Sequence, residues 1–259
     1  MPVMGGGIAA DPRRQQHGIL SSGSAPAFSP LDISGLSLWL KAESLALNDG
    51  DPVAAWTDSS GNGNDASQST AGNKPLYKAN IFGSKPAILF DAVDDYLTVA
   101  DDDGLDLSSG SYCIFAVVKR GTTGDWSWIL EKGDGNNAHI DYLLGKNGDG
   151  TNAYRFIDRA LSEDIAGTAL ATSTKYILTA QRSVSGGFFR TFLNGVQDAT
   201  SALSGSSGEN AHPLYIGCRG DLSQAWDGHI AAVLIYKADL NASQRGQVET
   251  FLNQEYQAF

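Results

Sequence analysis

Basic residues are scarce in this chain: 18 lysines and arginines stand against 29 aspartates and glutamates, a formal net charge of -11. A phosphate backbone would be repelled at long range, which excludes nucleic-acid binding as a function class. Long apolar runs are missing too. No stretch approaches the ~20 residues of a membrane span. The N-terminus reverses the order of a signal peptide, with apolar residues broken by Gly5-Gly6-Gly7 and followed by Arg13-Arg14, so no signal peptide is expected. Cysteine is limited to Cys113 and Cys218, each inside an apolar run. Buried thiols fit that setting. A disulfide between them would close a loop of about 100 residues and stabilise by ~4–5 kcal/mol in the chain-entropy model. The sequence leaves the pairing open.

What is abundant is glycine, 30 residues, set between short apolar runs. With 42% hydrophobic and 18% charged residues, the chain is globular and long enough for one large core. Residues 1–34 stand apart. They are rich in Gly, Ser and Pro and read as an extended arm ahead of a domain over 35–259. Within the domain, strands are predicted at 36–40, 87–90, 96–99, 112–118, 126–130, 140–144, 154–157, 176–182, 188–193, 214–217 and 230–236. The run 112–118 is apolar throughout, as in a strand buried on both faces. Asn194-Gly195 suits a type I′ hairpin turn. Asn241 with Gln244 forms a capping-box pattern, and Val248, Phe251, Leu252 and Tyr256 follow helical spacing. Residues 242–257 are therefore expected to form a helix packed on a sandwich through those four side chains.

Several segments resemble the laminin G-like, concanavalin A-like jelly-roll family. These are Leu36–Ala42, the Trp56-Thr57-Asp58-Ser59-Ser60-Gly61-Asn62-Gly63-Asn64 turn, Phe90-Asp91-Ala92-Val93-Asp94-Asp95-Tyr96-Leu97, Phe192–Gly195, Tyr215–Gly217 and Gly228–Tyr236. Ala92 stands where the family usually has glycine. The resemblance covers about residues 35–259. It implies an all-β, two-sheet antiparallel jelly-roll sandwich closed by a C-terminal helix, and a tendency to bind glycans or proteins.

Catalytic chemistry finds little support. Glycoside hydrolysis needs two placed carboxylates, and the Glu-x-Asp-x-x-Glu strand of glucanases with this fold is absent. Glu131, Glu163 and Asp164 are expected in turns. No Gly-x-Ser-x-Gly elbow occurs. The histidines at 17, 139, 212 and 229 are scattered without metal-ligand spacing, which leaves zinc unsupported. No catalytic residue is assigned and no enzyme is expected.

Three binding features remain. Asp91, Asp94 and Asp95 open an acidic stretch that either binds Ca²⁺, with loop oxygens completing the shell, or forms a solvated turn whose aspartates cap their own backbone. Trp126 and Trp128 are two apart and share one face of a strand, as a sugar-stacking platform or as core. Trp39 and Trp56 match core positions of the family, whereas Trp226, just before Asp227-Gly228, is the expected exposed ring. In the arm, Arg13, Arg14, Ile19, Leu20, Phe28 and Leu31 are spaced as anchors for docking on a neighbour.

Together these features predict a virion structural protein of a bacteriophage, a head decoration or tail adhesin at the particle surface. Its arm would dock on other virion proteins or on copies of itself in a homo-oligomer, and its jelly roll would meet a cell-surface glycan or protein. The alternative is an extracellular or cell-surface bacterial module for carbohydrate binding and adhesion. A glycoside hydrolase is a distant third.

Overall fold

The structure is a computed structural model that describes residues 1–2, 28–107, 110–122, 124, 126–137, 139–158, 163–203 and 211–259. Arg13, Arg14, Ile19 and Leu20 lie outside the described residues. The strands, in chain order, are β1 (Leu36–Lys41), β2 (Ala55–Trp56), β3 (Ala66–Ser67), β4 (Leu76–Phe82), β5 (Lys85–Asp91), β6 (Leu97–Val99), β7 (Tyr112–Arg120) and β8 (Ser127–Lys132). They continue with β9 (Tyr142–Lys146), β10 (Ala153–Asp158), β11 (Glu163–Ala169), β12 (Lys175–Ser183), β13 (Phe188–Leu193), β14 (Val196–Ala202), β15 (Leu214–Ile216) and β16 (Asp227–Tyr236). Helix α1 (Ala242–Tyr256) follows.

The strands form two antiparallel sheets of eight. The first runs β14-β13-β12-β7-β16-β5-β4, and β1 lies against the second half of β16. The second runs β11-β10-β9-β8-β15-β6-β3-β2. This is the expected two-sheet sandwich. Strand alternation explains the continuous apolar run of β7. Tyr112, Ile114, Ala116 and Val118 point between the sheets, among Phe90, Tyr142, Tyr154, Phe156 and Ile216. Cys113, Phe115 and Val117 point the other way, into a second core with Trp39, Tyr236, Val248, Leu252 and Tyr256. A strand between two cores has no polar face, so alternation vanishes from its sequence.

Helix α1 covers that outer face of the first sheet. Its capping box forms as expected: Gln244 N–H donates to Asn241 Oδ1, and Asn241 N–H donates to Gln244 Oε1, each at 3.0 Å. Gln257, in the left-handed region at φ 49°, ends it. Val248, Leu252 and Tyr256 are buried as predicted, but Phe251 is half-buried, its ring set edge-on between Phe28 and Trp39. Asn194 and Gly195 both take positive φ, as the predicted β13–β14 hairpin requires.

Residues 28–34, read from sequence as the end of the arm, pack on the domain. Pro30 and Ile33 are buried, and the Tyr236 hydroxyl donates to the Pro30 carbonyl at 2.8 Å. Leu31 is exposed. Cys113 and Cys218 are both free and buried. Cys113 lies under α1 on the outer face of the first sheet, whereas Cys218 follows β15 in the second sheet. No helix among the described residues is long and apolar enough to cross a membrane.

Candidate functional site

With α1 over the first sheet, the outer face of the second sheet is the broad strand surface left without a helix. Alternation selects what it displays. On β10, Tyr154 and Phe156 point into the core, so Arg155 and Ile157 point out. On β9, opposite Ile157, Leu143 points out, and on β8 and β15 the partners Glu131 and Tyr215 do the same.

Trp126 and Trp128 stand on this face, and their rings stack at 5.9 Å with an interplanar angle of 30°. The predicted shared face is real. Trp128 is almost fully buried, on a small apolar patch with Ile140, Leu143 and Ile157, and Trp126 is half-exposed above it. Gly145 of β9 permits this, because a Cβ there would collide with the Trp128 ring. The Trp128 indole N–H donates to Gln224 Oε1 at 2.6 Å, and the Arg155 guanidinium lies 4.8 Å from the Trp126 ring centroid. Arg155 Nε donates to Asp164 Oδ1 at 2.6 Å and its Nη1 to Asn147 Oδ1 at 2.8 Å. Asn137, Gln224 and Arg219 complete a cleft of about 170 Å³.

Two loops roof the face, and one buried acid holds both. Glu131, expected in a turn, is instead in the middle of the sheet on β8 and fully buried. Its Oε1 accepts the Gly135 N–H at 2.8 Å and the Gly220 N–H at 3.1 Å, while Arg219 Nε sits 3.4 Å from Oε2. Burial pushes the carboxyl up to about 7, against the lowering effect of those two N–H groups and of Arg219. Glu163 and Asp164, also expected in a turn, open β11. The loop held through Gly220 divides the face in two. Arg219 and Gln224 line the tryptophan cleft, and Gly220 and Leu222 line a second cleft of about 440 Å³ with Tyr96, Tyr215, Gln68 and Thr98. The Tyr96 and Tyr215 rings lie 6.2 Å apart there.

Trp226 is a correction. It is wholly buried between the sheets, because Asp227-Gly228 begins β16 instead of forming a turn. Gly228 is needed for the tight crossing to β7: a Cβ would strike the Lys119 carbonyl. Trp226 then has the inward parity of Ile230.

The acidic cluster forms a self-capped turn. Asp91 Oδ1 accepts the Val93 N–H at 2.8 Å, and Asp95 Oδ2 accepts the Asp91 N–H at 3.1 Å. One carboxylate oxygen from each of Asp91, Asp94 and Asp95 lies within 4.8 Å of the others. Burial and the neighbouring Asp91 and Asp94 raise Asp95 to about 6. Those oxygens could hold a cation. A second group with suitable atoms comes from residues that sequence reading left scattered: Asp134, His139 and His212 meet within the same span.

The family model for the concanavalin A-like lectin/glucanases superfamily, Laminin_G_3, matches residues 91–244. The chain belongs to that superfamily. No curated protein sequence matches this concanavalin A-like chain. Among solved structures, its fold is similar to that of the Trypanosoma rangeli sialidase in complex with sialic acid (TM-score 0.61, 15% identity, 86% of this chain, 33% of the other). It is also similar to the binding domain of Paraclostridial Mosquitocidal Protein 1 (TM-score 0.60, 15% identity, 88% and 53%). A third likeness is to domain 4 of an extracellular arabinanase from Geobacillus stearothermophilus in complex with arabinotriose (TM-score 0.54, 18% identity, 81% and 95%). The concanavalin A-like domain thus spans about a third of the length of the sialidase it matches.

Arg155, Arg219, Asn137 and Gln224 were not singled out from sequence, and Tyr96 and Tyr215 appeared there only within segments that resemble the family. For Arg155 a local signal existed, a charged residue alternating with Tyr154 and Phe156. Tyr215 faces out by the same alternation on β15, and Asn137, Arg219 and Gln224 depend on how the two roofing loops fold back.

Proposed function

We propose that the chain is a non-catalytic binding domain that takes a glycan on the outer face of its second sheet. The observation that carries this is the stacked Trp126–Trp128 pair at the floor of a cleft rimmed by Arg155, Arg219, Asn137 and Gln224. Aromatic faces meet the C–H faces of sugars, and planar amide and guanidinium groups pair with adjacent hydroxyls. The superfamily and the neighbour in complex with arabinotriose support the reading. A glycan array followed by calorimetry tests it. Trp126→Ala should bind the selected glycan about tenfold more weakly, about 1.4 kcal/mol, with the melting temperature little changed. Undiminished binding by both Trp126→Ala and Arg155→Ala would move the site off this face.

The finer reading is display on a particle, a bacteriophage virion, with the N-terminal segment as the anchor. Phe28 favours it. Its ring sits against Phe251 beside a groove of about 540 Å³ along α1, on the side of the sandwich opposite the tryptophan cleft. A chain anchored there holds the binding face outward.

A further inference from the structure

We propose that Asp134, His139 and His212 form a surface site for a divalent transition-metal ion of the zinc, nickel or copper kind. Asp134 and His139 belong to the loop after β8, and His212 precedes β15. The Asp134 Oδ2 atom is 2.9 Å from His139 Nδ1 and 3.7 Å from His212 Nε2. The two imidazoles stack at 5.5 Å with 19° between their planes. Two atoms bound to one zinc ion at about 2.1 Å each lie no more than about 4.2 Å apart. Both measured separations meet that limit, and a suitable atom of each residue lies within 4.8 Å of the other two. All three side chains are partly exposed, so an ion can enter and small rotations can close the set.

The backbone that carries these side chains is already held. The buried Lys132 ammonium, itself paired with Asp101 and Asp106, donates to the His212 carbonyl at 2.6 Å. Glu131 holds Gly135 at the other side, and Asp134 Oδ1 accepts the Asn136 N–H at 2.9 Å, which leaves Oδ2 facing the imidazoles. Two imidazoles and one carboxylate are the ligand chemistry of borderline transition metals, whereas Ca²⁺ prefers six to eight oxygens. Three protein ligands also leave positions for water or for an outside donor.

The test is calorimetric titration of zinc chloride into the metal-stripped full chain at neutral pH. One saturating equivalent is expected, with affinity lost by about tenfold or more in each of His139→Ala, His212→Ala and Asp134→Asn. Copper(II) bound to the same chain should show electron paramagnetic resonance coupling to two imidazole nitrogens, and to one in either histidine variant. Absence of saturable zinc binding would overturn the proposal. So would an equivalent that survives in the His139→Ala/His212→Ala double variant, since the ion would then sit elsewhere.

Discussion

Glu131 is the residue on which the candidate face depends, and its ionisation carries a pH signature. Burial raises its pKa from 4.5 to about 7 in the folded chain. The folded state therefore holds the proton more tightly than the unfolded state. The contribution of Glu131 is fully present below pH 4.5 and is lost as pH rises through about 7, a loss on the order of 3 kcal/mol. Asp95, raised to about 6, changes in an overlapping window, so a variant comparison is needed to isolate one acid. Glu131→Gln has no charge to bury. Relative to the parent, its stability should rise between pH 5 and pH 8 in denaturant titrations, and parallel pH profiles for the two proteins would refute the assignment. Sequence could not have located this carboxyl, since a lone Glu between Leu130 and Lys132 looks like the end of a strand. Only the return of Gly135 and Gly220 over it makes it an anchor. The tryptophans divide the same way. For Trp126 and Trp128, two-residue spacing was enough to place the rings together. For Trp226, parity with Ile230 decided burial, and that parity needed the true start of β16.

At the scale of elements, α1 was legible because capping and spacing are local. Its packing partner was not. Val248 is fully buried against the first sheet with Leu252 and Tyr256. Replacing it by aspartate puts an unpaired carboxylate in that second core, and Val248→Asp should destabilise by about 3 kcal/mol or more in chemical denaturation. A loss below about 1 kcal/mol would mean that the helix detaches without unfolding the sandwich. The strands missed from sequence lie at or beside the sheet ends. β14, β4, β11 and β2 are the four ends of the two sheets, and β3 is next to β2. An edge strand pairs on one side only and buries little, so alternation and apolar content fade. Val196–Ala202 has no buried residue, and Leu76–Phe82 is interrupted by Asn80 at φ 58°. The central strands were all found within a few residues of their ends.

For the whole molecule, the sandwich has two unlike sides, one covered by α1 and Phe28, the other carrying the two clefts. The anchoring reading places assembly on the first side and recognition on the second. Because Phe28, Pro30 and Ile33 pack on the domain, deletion should stop ahead of them. Removal of residues 2–27 is expected to leave a folded domain with glycan affinity intact and to abolish incorporation into particles, as measured by co-sedimentation. Full occupancy of the truncated chain would place the docking surface on the sandwich.

The sequence by itself determined the fold class, the jelly-roll family, the closing helix with its cap, the hairpin at Asn194-Gly195 and the pairing of Trp126 with Trp128. The family rests on the resemblance of several segments, and the rest is written in local periodicity and turn chemistry, where one residue limits its near neighbours. Tertiary structure alone decided that Trp226 is core, that Glu131 ties two loops to the sheet, and that Arg155, Arg219, Asn137 and Gln224 surround one cleft. It also decided that His139 and His212 meet at Asp134. Those contacts join residues far apart along the chain, and loop closure over a sheet leaves no periodic trace in the residues it brings together.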